Sequence, residues 1–215
     1  MLERSLHASW IASYTDTLVA AVKTTKASDR RGASINIDEA IVWVAETARR
    51  VHGAGNKIIF IGNGGSAAIA SHMATDYSKN GSLRSIAMND ASTLTCLGND
   101  YGYEHVFAKQ IEFHAREGDL LVAISSSGKS ANILNAVAAA RKAGCTVLTL
   151  SGFDANNPLR LQGDMNLFLP SGYYGFVEIG HLTLCHAILD YSMERDGRGA
   201  AGLKNEALQN VSEKS

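Results

Sequence analysis

The chain has 215 residues, 20 basic against 21 acidic side chains, a formal net charge of -1 and 46% hydrophobic residues. That size and composition suit one ordinary soluble domain with extensions and exclude disordered, collagen-like and coiled-coil chains. With no excess positive charge to neutralise a phosphate backbone, nucleic acid is not an expected partner, whereas a small anion needs only a local site.

Leu6, Trp10, Tyr14, Leu18 and Val22 recur at four-residue steps and predict an amphipathic helix over residues 2–26. A polar break from Lys26 to Ser34 follows. Asn36 then offers an N-cap with Glu39 three residues on, and Ile37, Ile41, Val44, Ala48 and Val51 mark one face of a second helix that ends at Gly53 and Gly55. Both helices precede any predicted strand, so their stripes must pack on the domain behind them or on a second copy of the chain.

From Lys57 onward, short apolar runs alternate with Gly- or Ser-rich turns and helical stretches. The predicted strands are 57–61, 85–88, 119–124, 146–150 and 166–169. Helices are predicted near 66–78, 91–97, 104–115, 130–143 and 176–194. Right-handed crossovers make this a doubly wound α/β/α sandwich around a five-stranded parallel sheet, with ligands bound at the carboxyl ends of the strands. Residues 1–195 read as one domain that includes the leading helices (2–53), and 196–215 as a polar tail expected to be partly disordered. Cys96, Cys145 and Cys185 form no CxxC and sit among apolar neighbours, which predicts reduced core thiols. No apolar signal region opens the chain and no stretch reaches roughly 18 apolar residues, so a cytoplasmic protein without membrane contact is expected.

Two loops carry chemistry. The strand KIIFI runs into Gly62, Asn63, Gly64, Gly65 and Ser66, a turn whose glycines admit close backbone approach and whose helix start attracts anions. Gly62, Gly64 and Ala67 also fit the dinucleotide pattern GxGxxA, with Asp90 as a conceivable ribose partner, but a tight turn alone explains those small residues equally well. The second loop is Ser125, Ser126, Ser127, Gly128, Lys129 and Ser130. Its hydroxyls and the unpaired N–H groups of a helix start form a neutral cradle for phosphate. GKS is not a P-loop here, because that motif needs Gly where Ala123 stands. Ser130 alone could be no more than a helix cap, but a cluster of serines after a buried strand favours phosphate.

Proton-transfer candidates lie on two helices. His72 and Asp76 are four residues apart and share a face of the helix that starts at the glycine loop. Glu178, His181 and His186 lie on the last helix. Carboxylate plus imidazole suits proton transfer beside a carbonyl, and the same groups suit a divalent metal. Glu178 and His186 are ~12 Å apart along one helix, so joint chelation calls for a second subunit or a broken helix. His181, among Leu182, Leu184 and Cys185, is expected to be an interface histidine with satisfied hydrogen bonds.

GNGGSAAIASH, GNDYGYEHVFAKQ, GDLLVAISSSGKSANILNAVAAARKAG and EIGHLTLCH together resemble the sugar isomerase (SIS) domain of phosphoheptose isomerases, from about residue 40 to 194. The resemblance implies a flavodoxin-like sandwich, a homotetramer with active sites between subunits, and interconversion of sedoheptulose 7-phosphate and glycero-manno-heptose 7-phosphate through an enediol. It implies that Ser66, Ser125, Ser127 and Ser130 hold phosphate, with Gly64 in the same loop, and that Asn63 and Asp100 contact substrate oxygens. It places His72 where some members bind zinc and His186 at a catalytic acid or base. Asp76 stands where the family has its catalytic Glu, one methylene shorter, and Glu178 stands at a Gln that helps bind substrate or metal. Asp76 or Glu178 is then the base, and His72, Asp76, Glu178 and His186 are the metal ligands. The usual Arg or Asp before that Gln is absent, with Gly175 and Phe176 in the stretch. No nucleotide cofactor is expected.

Two other readings compete. One superfamily relative is a non-enzymatic protein that associates with the bacterial replication initiator, but it resembles a member stripped of its catalytic groups, whereas His72, Asp76, Glu178 and His186 are present here. A dinucleotide-dependent oxidoreductase rests on GxGxxA alone and leaves the serine loop unexplained.

Overall fold

A computed structural model describes residues 9–199. The elements in chain order are α1 (Trp10–Lys23), β1 (Lys26–Asp29), β2 (Ser34–Ile35), α2 (Ile37–Gly53), β3 (Ile58–Gly62), α3 (Gly65–Lys79), β4 (Ser85–Ala87), α4 (Ala91–Tyr101), α5 (Val106–His114), β5 (Leu120–Ser125), α6 (Ala131–Lys142), β6 (Thr146–Ser151), β7 (Met165–Phe168) and α7 (Tyr174–Arg195). Short 3-10 turns cover Tyr103–His105 and Pro158–Leu161.

The sheet has seven strands in the order β2-β1-β7-β6-β5-β3-β4. Five of them, β7, β6, β5, β3 and β4, run parallel. Numbered among themselves, these five follow the flavodoxin-like order 2-1-3-4-5, whose switch point lies between β3 and β5. The expected five-stranded sheet is therefore present but extended. The polar break after the first helix folds as β1 and β2, with β1 antiparallel to β7 and β2 antiparallel to β1. No periodicity marks these strands, because β1 is held at the sheet edge by backbone pairing to residues far along the chain. The Asn166 amide adds to it, donating to the carbonyls of Ser28 and Asp29 at 3.2 Å each.

Side chains alternate across the sheet and build two cores. Ile58, Phe60, Leu120, Val122 and Ile124 pack with α2, α3 and α7 on one face. Ile59, Ile61, Leu121 and Ala123 pack with α5 and α6 on the other. Fully buried runs such as LLVAIS in β5 are what a doubly covered parallel strand requires. The Asn36 side chain caps α2, accepting from the N–H groups of Asp38 (2.8 Å) and Glu39 (3.4 Å), and Ala40, Val44, Ala45, Ala48 and Val51 seat that helix in the core.

The leading helix α1 differs. None of its residues is buried, although Tyr14 packs against Phe176 at 4.7 Å between ring centroids. Its expected stripe begins with Leu6, which lies outside the described residues, as does nearly all of the 196–215 tail. Cys145 and Cys185 are buried as expected, but Cys96 is exposed. Leu97 is the one buried residue of α4, with the partly buried Leu94 packed beside it against the core, which leaves Cys96 on the open side beside Asp100. Among the described residues no helix is long and apolar enough to cross a membrane.

Candidate active site

The glycine loop leaves the end of β3 and the serine loop leaves the end of β5, so the two meet at the switch point of the sheet. Close packing requires small residues in the first loop. A Cβ on Gly62 would lie 2.5 Å from the Ser66 backbone, and Gly64 adopts φ +55°, a left-handed conformation that glycine tolerates. Gly65 opens α3 beneath a carboxylate, since a Cβ there would stand 2.4 Å from Cδ of Glu178.

Between these loops lies a cavity of about 250 Å³ lined by Asn63, Gly64, Gly65, Ser66, Ile124, Ser125, Ser126, Ser127, Ser130, Tyr174 and Glu178. Its size fits a small polar metabolite and falls below the 300–1,000 Å³ typical of drug-sized ligands. Gly65 and Ser66 in the first turn of α3 and Ser130 at the N-cap of α6 line it, the Ser66 N–H being taken by the Asn63 carbonyl at 3.0 Å. No Lys or Arg is among the lining residues, and Glu178 is the one carboxylate. The Lys129 ammonium is held 3.0 Å from Asp154 instead. The cavity is thus rich in hydroxyls and carries one carboxylate with no cationic side chain beside it.

Local hydrogen bonds show which hydroxyls are committed. The Ser125 hydroxyl accepts from the Gly128 N–H (3.1 Å) and that of Ser127 from the Lys129 N–H (3.2 Å), which leaves both O–H hydrogens to donate. Ser130 occupies the N-cap of α6 without making a side-chain capping bond, so capping does not account for its hydroxyl.

The expected site residues divide into two groups. Asn63, Gly64, Ser66, Ser125, Ser127, Ser130 and Glu178 surround the cavity. His72, Asp76 and His186 form a separate cluster whose ligand atoms lie within 4.8 Å of one another. In it His72 Nε2 is 3.5 Å from Asp76 Oδ2, and the two imidazoles are 5.4 Å apart between centroids. Glu178 does not join this cluster, because α7 runs unbroken from Tyr174 to Arg195 and holds it two turns away from His186. Asp100, on the open side of α4, does not line the cavity either; its carboxylate accepts from the Asn99 side chain at 2.9 Å.

Other expectations resolve locally. Asp90 caps α4, accepting from the Ser92 hydroxyl and from the N–H (2.8 Å) and hydroxyl (2.9 Å) of Thr93; these bonds hold its carboxyl down at about 2 and account for it without a ribose. His181, expected at an interface, is instead fully buried within the chain, where it bonds the Ser151 carbonyl at 3.1 Å while its Nδ1 has no partner. Burial pushes its pKa down to about 4.

Three residues beside the cavity were not singled out by sequence. Tyr174 lines it from the start of α7. Asn132 exchanges two hydrogen bonds with Asn63, each 2.9 Å, and the Tyr103 hydroxyl donates to Asn63 Oδ1 at 3.2 Å. Asn132 carried a faint signal, as a buried polar residue in a first helical turn; Tyr103 and Tyr174 carried none, since only the fold brings their segments to the loops.

Residues 14–152 match the family model of the SIS domain. The chain is 43% identical over 140 residues to a phosphoheptose isomerase of Aliarcobacter butzleri, covering 62% of this chain and 74% of that protein. It is 38% identical over 160 residues to the phosphoheptose isomerase of Geobacter sp. (strain M21), covering 72% and 81%. The solved phosphoheptose isomerase of Neisseria gonorrhoeae shares the fold with a TM-score of 0.74 and 32% identity, over 89% of this chain and 99% of that one. By the family model over residues 14–152 and by these relatives, the chain belongs to the SIS domain family, in its phosphoheptose isomerase branch.

Proposed function

We propose that this chain is a sugar-phosphate aldose-ketose isomerase that interconverts sedoheptulose 7-phosphate and D-glycero-D-manno-heptose 7-phosphate through an enediol. The observation that carries this reading is one cavity in which a serine cradle with donor hydroxyls faces a carboxylate, Glu178. Ser66, Ser125, Ser127 and Ser130, with the start of α6, hold the phosphate. Glu178 takes the proton from the carbon beside the carbonyl and returns it to the neighbouring carbon, and Asn63 donates to a sugar oxygen. One carbon of the sugar is oxidised as its neighbour is reduced, so the reaction is redox-neutral within the substrate and needs no nucleotide cofactor.

His72, Asp76 and His186 would hold a zinc ion through two imidazoles and a carboxylate, a donor set that suits this metal. When bound, zinc supplies a Lewis acid that polarises sugar oxygens. Asp76 lies ten residues beyond Ser66 on α3, ~15 Å along the axis, and none of His72, Asp76 and His186 lines the cavity of its own serine loop. We assign the Asp76 and His186 groups of one copy to complete the cavity of another, where His186, when it holds no metal, moves a proton between the two oxygens. A homotetramer supplies that arrangement, and Trp10, Ile11 and Val19, exposed on α1, give apolar surface for it. Three cysteines without disulfides suit the cytoplasm.

The test is incubation of metal-depleted and zinc-supplemented protein with sedoheptulose 7-phosphate, following aldoheptose phosphate and solvent deuterium uptake at the carbon next to the carbonyl. Product with deuterium uptake is expected. Absence of both under either condition would replace the isomerase by a phosphosugar-binding protein. Glu178→Gln is expected to abolish exchange; full exchange in that variant with loss in Asp76→Asn would move the base to Asp76.

A further inference from the structure

We infer that Asn132, assisted by Tyr103, is a positioning residue that turns Asn63 into a fixed single-proton donor for a substrate oxygen. The inference rests on the isomerase reading for the identity of that oxygen, but its structural basis is independent. Asn63 Nδ2 donates to Asn132 Oδ1 and Asn132 Nδ2 donates back to Asn63 Oδ1, both at 2.9 Å. The Tyr103 hydroxyl donates to the same Asn63 Oδ1 at 3.2 Å.

A side-chain amide has two N–H donors and two acceptor lone pairs. In Asn63 both lone pairs are taken, and one N–H is spent on Asn132. One N–H remains, on a residue that lines the cavity. Asn63 can therefore receive no hydrogen bond from a sugar hydroxyl and can only donate, which selects an acceptor: a carbonyl oxygen, or the oxygen that gains negative charge as the enediol forms. A donor already oriented toward developing charge stabilises it without reorganisation.

The clamp is rigid because each partner is anchored elsewhere. Asn132 is 3% exposed in the first turn of α6, two residues after Ser130. Tyr103 sits in a 3-10 turn tied to α6 by the bond from Asn135 Nδ2 to the Glu104 carbonyl, 2.9 Å. The helix that presents the phosphate cradle thus also orients the donor at the reacting end, so phosphate and reaction centre are set by one rigid element.

The experiment compares the wild type with Asn63→Ala, Asn132→Ala, Tyr103→Phe and the double variant Asn63→Ala/Asn132→Ala. It reads kcat and KM on sedoheptulose 7-phosphate, and calorimetric binding of that sugar phosphate and of inorganic phosphate. Asn132→Ala is expected to lower kcat roughly 10- to 100-fold, and Tyr103→Phe about 3- to 10-fold, with inorganic phosphate binding unchanged. The double variant should be no slower than Asn63→Ala, because Asn132 acts through Asn63. Additive losses, or wild-type kcat in a folded Asn132→Ala, would overturn the inference. Tyr103 is exposed, so Tyr103→Phe decides between the outcomes if Asn132→Ala does not fold: a lowered kcat supports the clamp and wild-type kcat overturns it. If the wild type does not turn over this sugar phosphate, the isomerase reading falls. The inference is then decided by binding, which should weaken in Asn132→Ala for the sugar phosphate and not for inorganic phosphate; unchanged affinities for both would refute it.

Discussion

Replacing Gly65 by Ala should separate activity from stability. A Cβ at this position would lie 2.4 Å from Cδ of Glu178 and 2.5 Å from each carboxylate oxygen, and nothing else is as near. To regain the 3.4 Å of ordinary contact, the carboxylate must retreat by about 1 Å. Glu178 stands at the end of a flexible side chain, so it can swing away without disturbing the backbone. Gly65 is the first residue of α3, where alanine is the better helix former and restricts the unfolded chain, worth roughly 0.5–1 kcal/mol in favour of folding. Misplacing a reacting group by about 1 Å costs ~100-fold in rate, or about 2.7 kcal/mol of transition-state stabilisation. The expected outcome is an unchanged or higher melting temperature beside a kcat lowered about 100-fold, with KM little altered because the serine cradle is intact. Thermal melts and steady-state kinetics on the same preparation check both halves. Wild-type kcat in a well-folded Gly65→Ala protein would refute the role given to Glu178.

Two further outcomes follow from the same geometry. Ser130→Ala removes a hydroxyl that makes no capping bond, so α6 should lose little stability while KM for the phosphosugar and the dissociation constant for inorganic phosphate rise about 10-fold; unchanged affinities would mean that Ser130 does not touch phosphate. His181 has a folded pKa of about 4 against about 6.5 unfolded, so the unfolded chain binds the extra proton between these values. Its contribution is complete above pH 6.5 and is lost as pH falls toward 4, roughly 3 kcal/mol across that window. Urea unfolding from pH 4 to 8 at fixed protein concentration should show this acid limb in the wild type and a flatter one in His181→Gln, whose amide can still donate to the Ser151 carbonyl; parallel curves would contradict the assignment.

The fold was legible where side-chain pattern alone decides structure. Strands such as IIFIG and LLVAIS are buried on both faces, so their composition announces them, and the Asn36 cap with its apolar stripe announces α2. The strands β1 and β2 were not legible, because edge pairing draws on backbone groups that every residue carries. Cys96 shows the same limit, since apolar neighbours in sequence do not say which way a helix turns.

At the site, sequence determined the ingredients: a glycine turn, a serine cluster at a helix start, and carboxylates and imidazoles at helical spacing. Tertiary structure alone decided how they are shared out. Glu178 joins the serines while His186, on the same helix, joins His72 and Asp76, because a straight helix carries residues eight apart to different places. Asn132 and Tyr103 reach Asn63 from 69 and 40 residues away, and only the crossing of the chain at the switch point brings those three side chains within hydrogen-bond range.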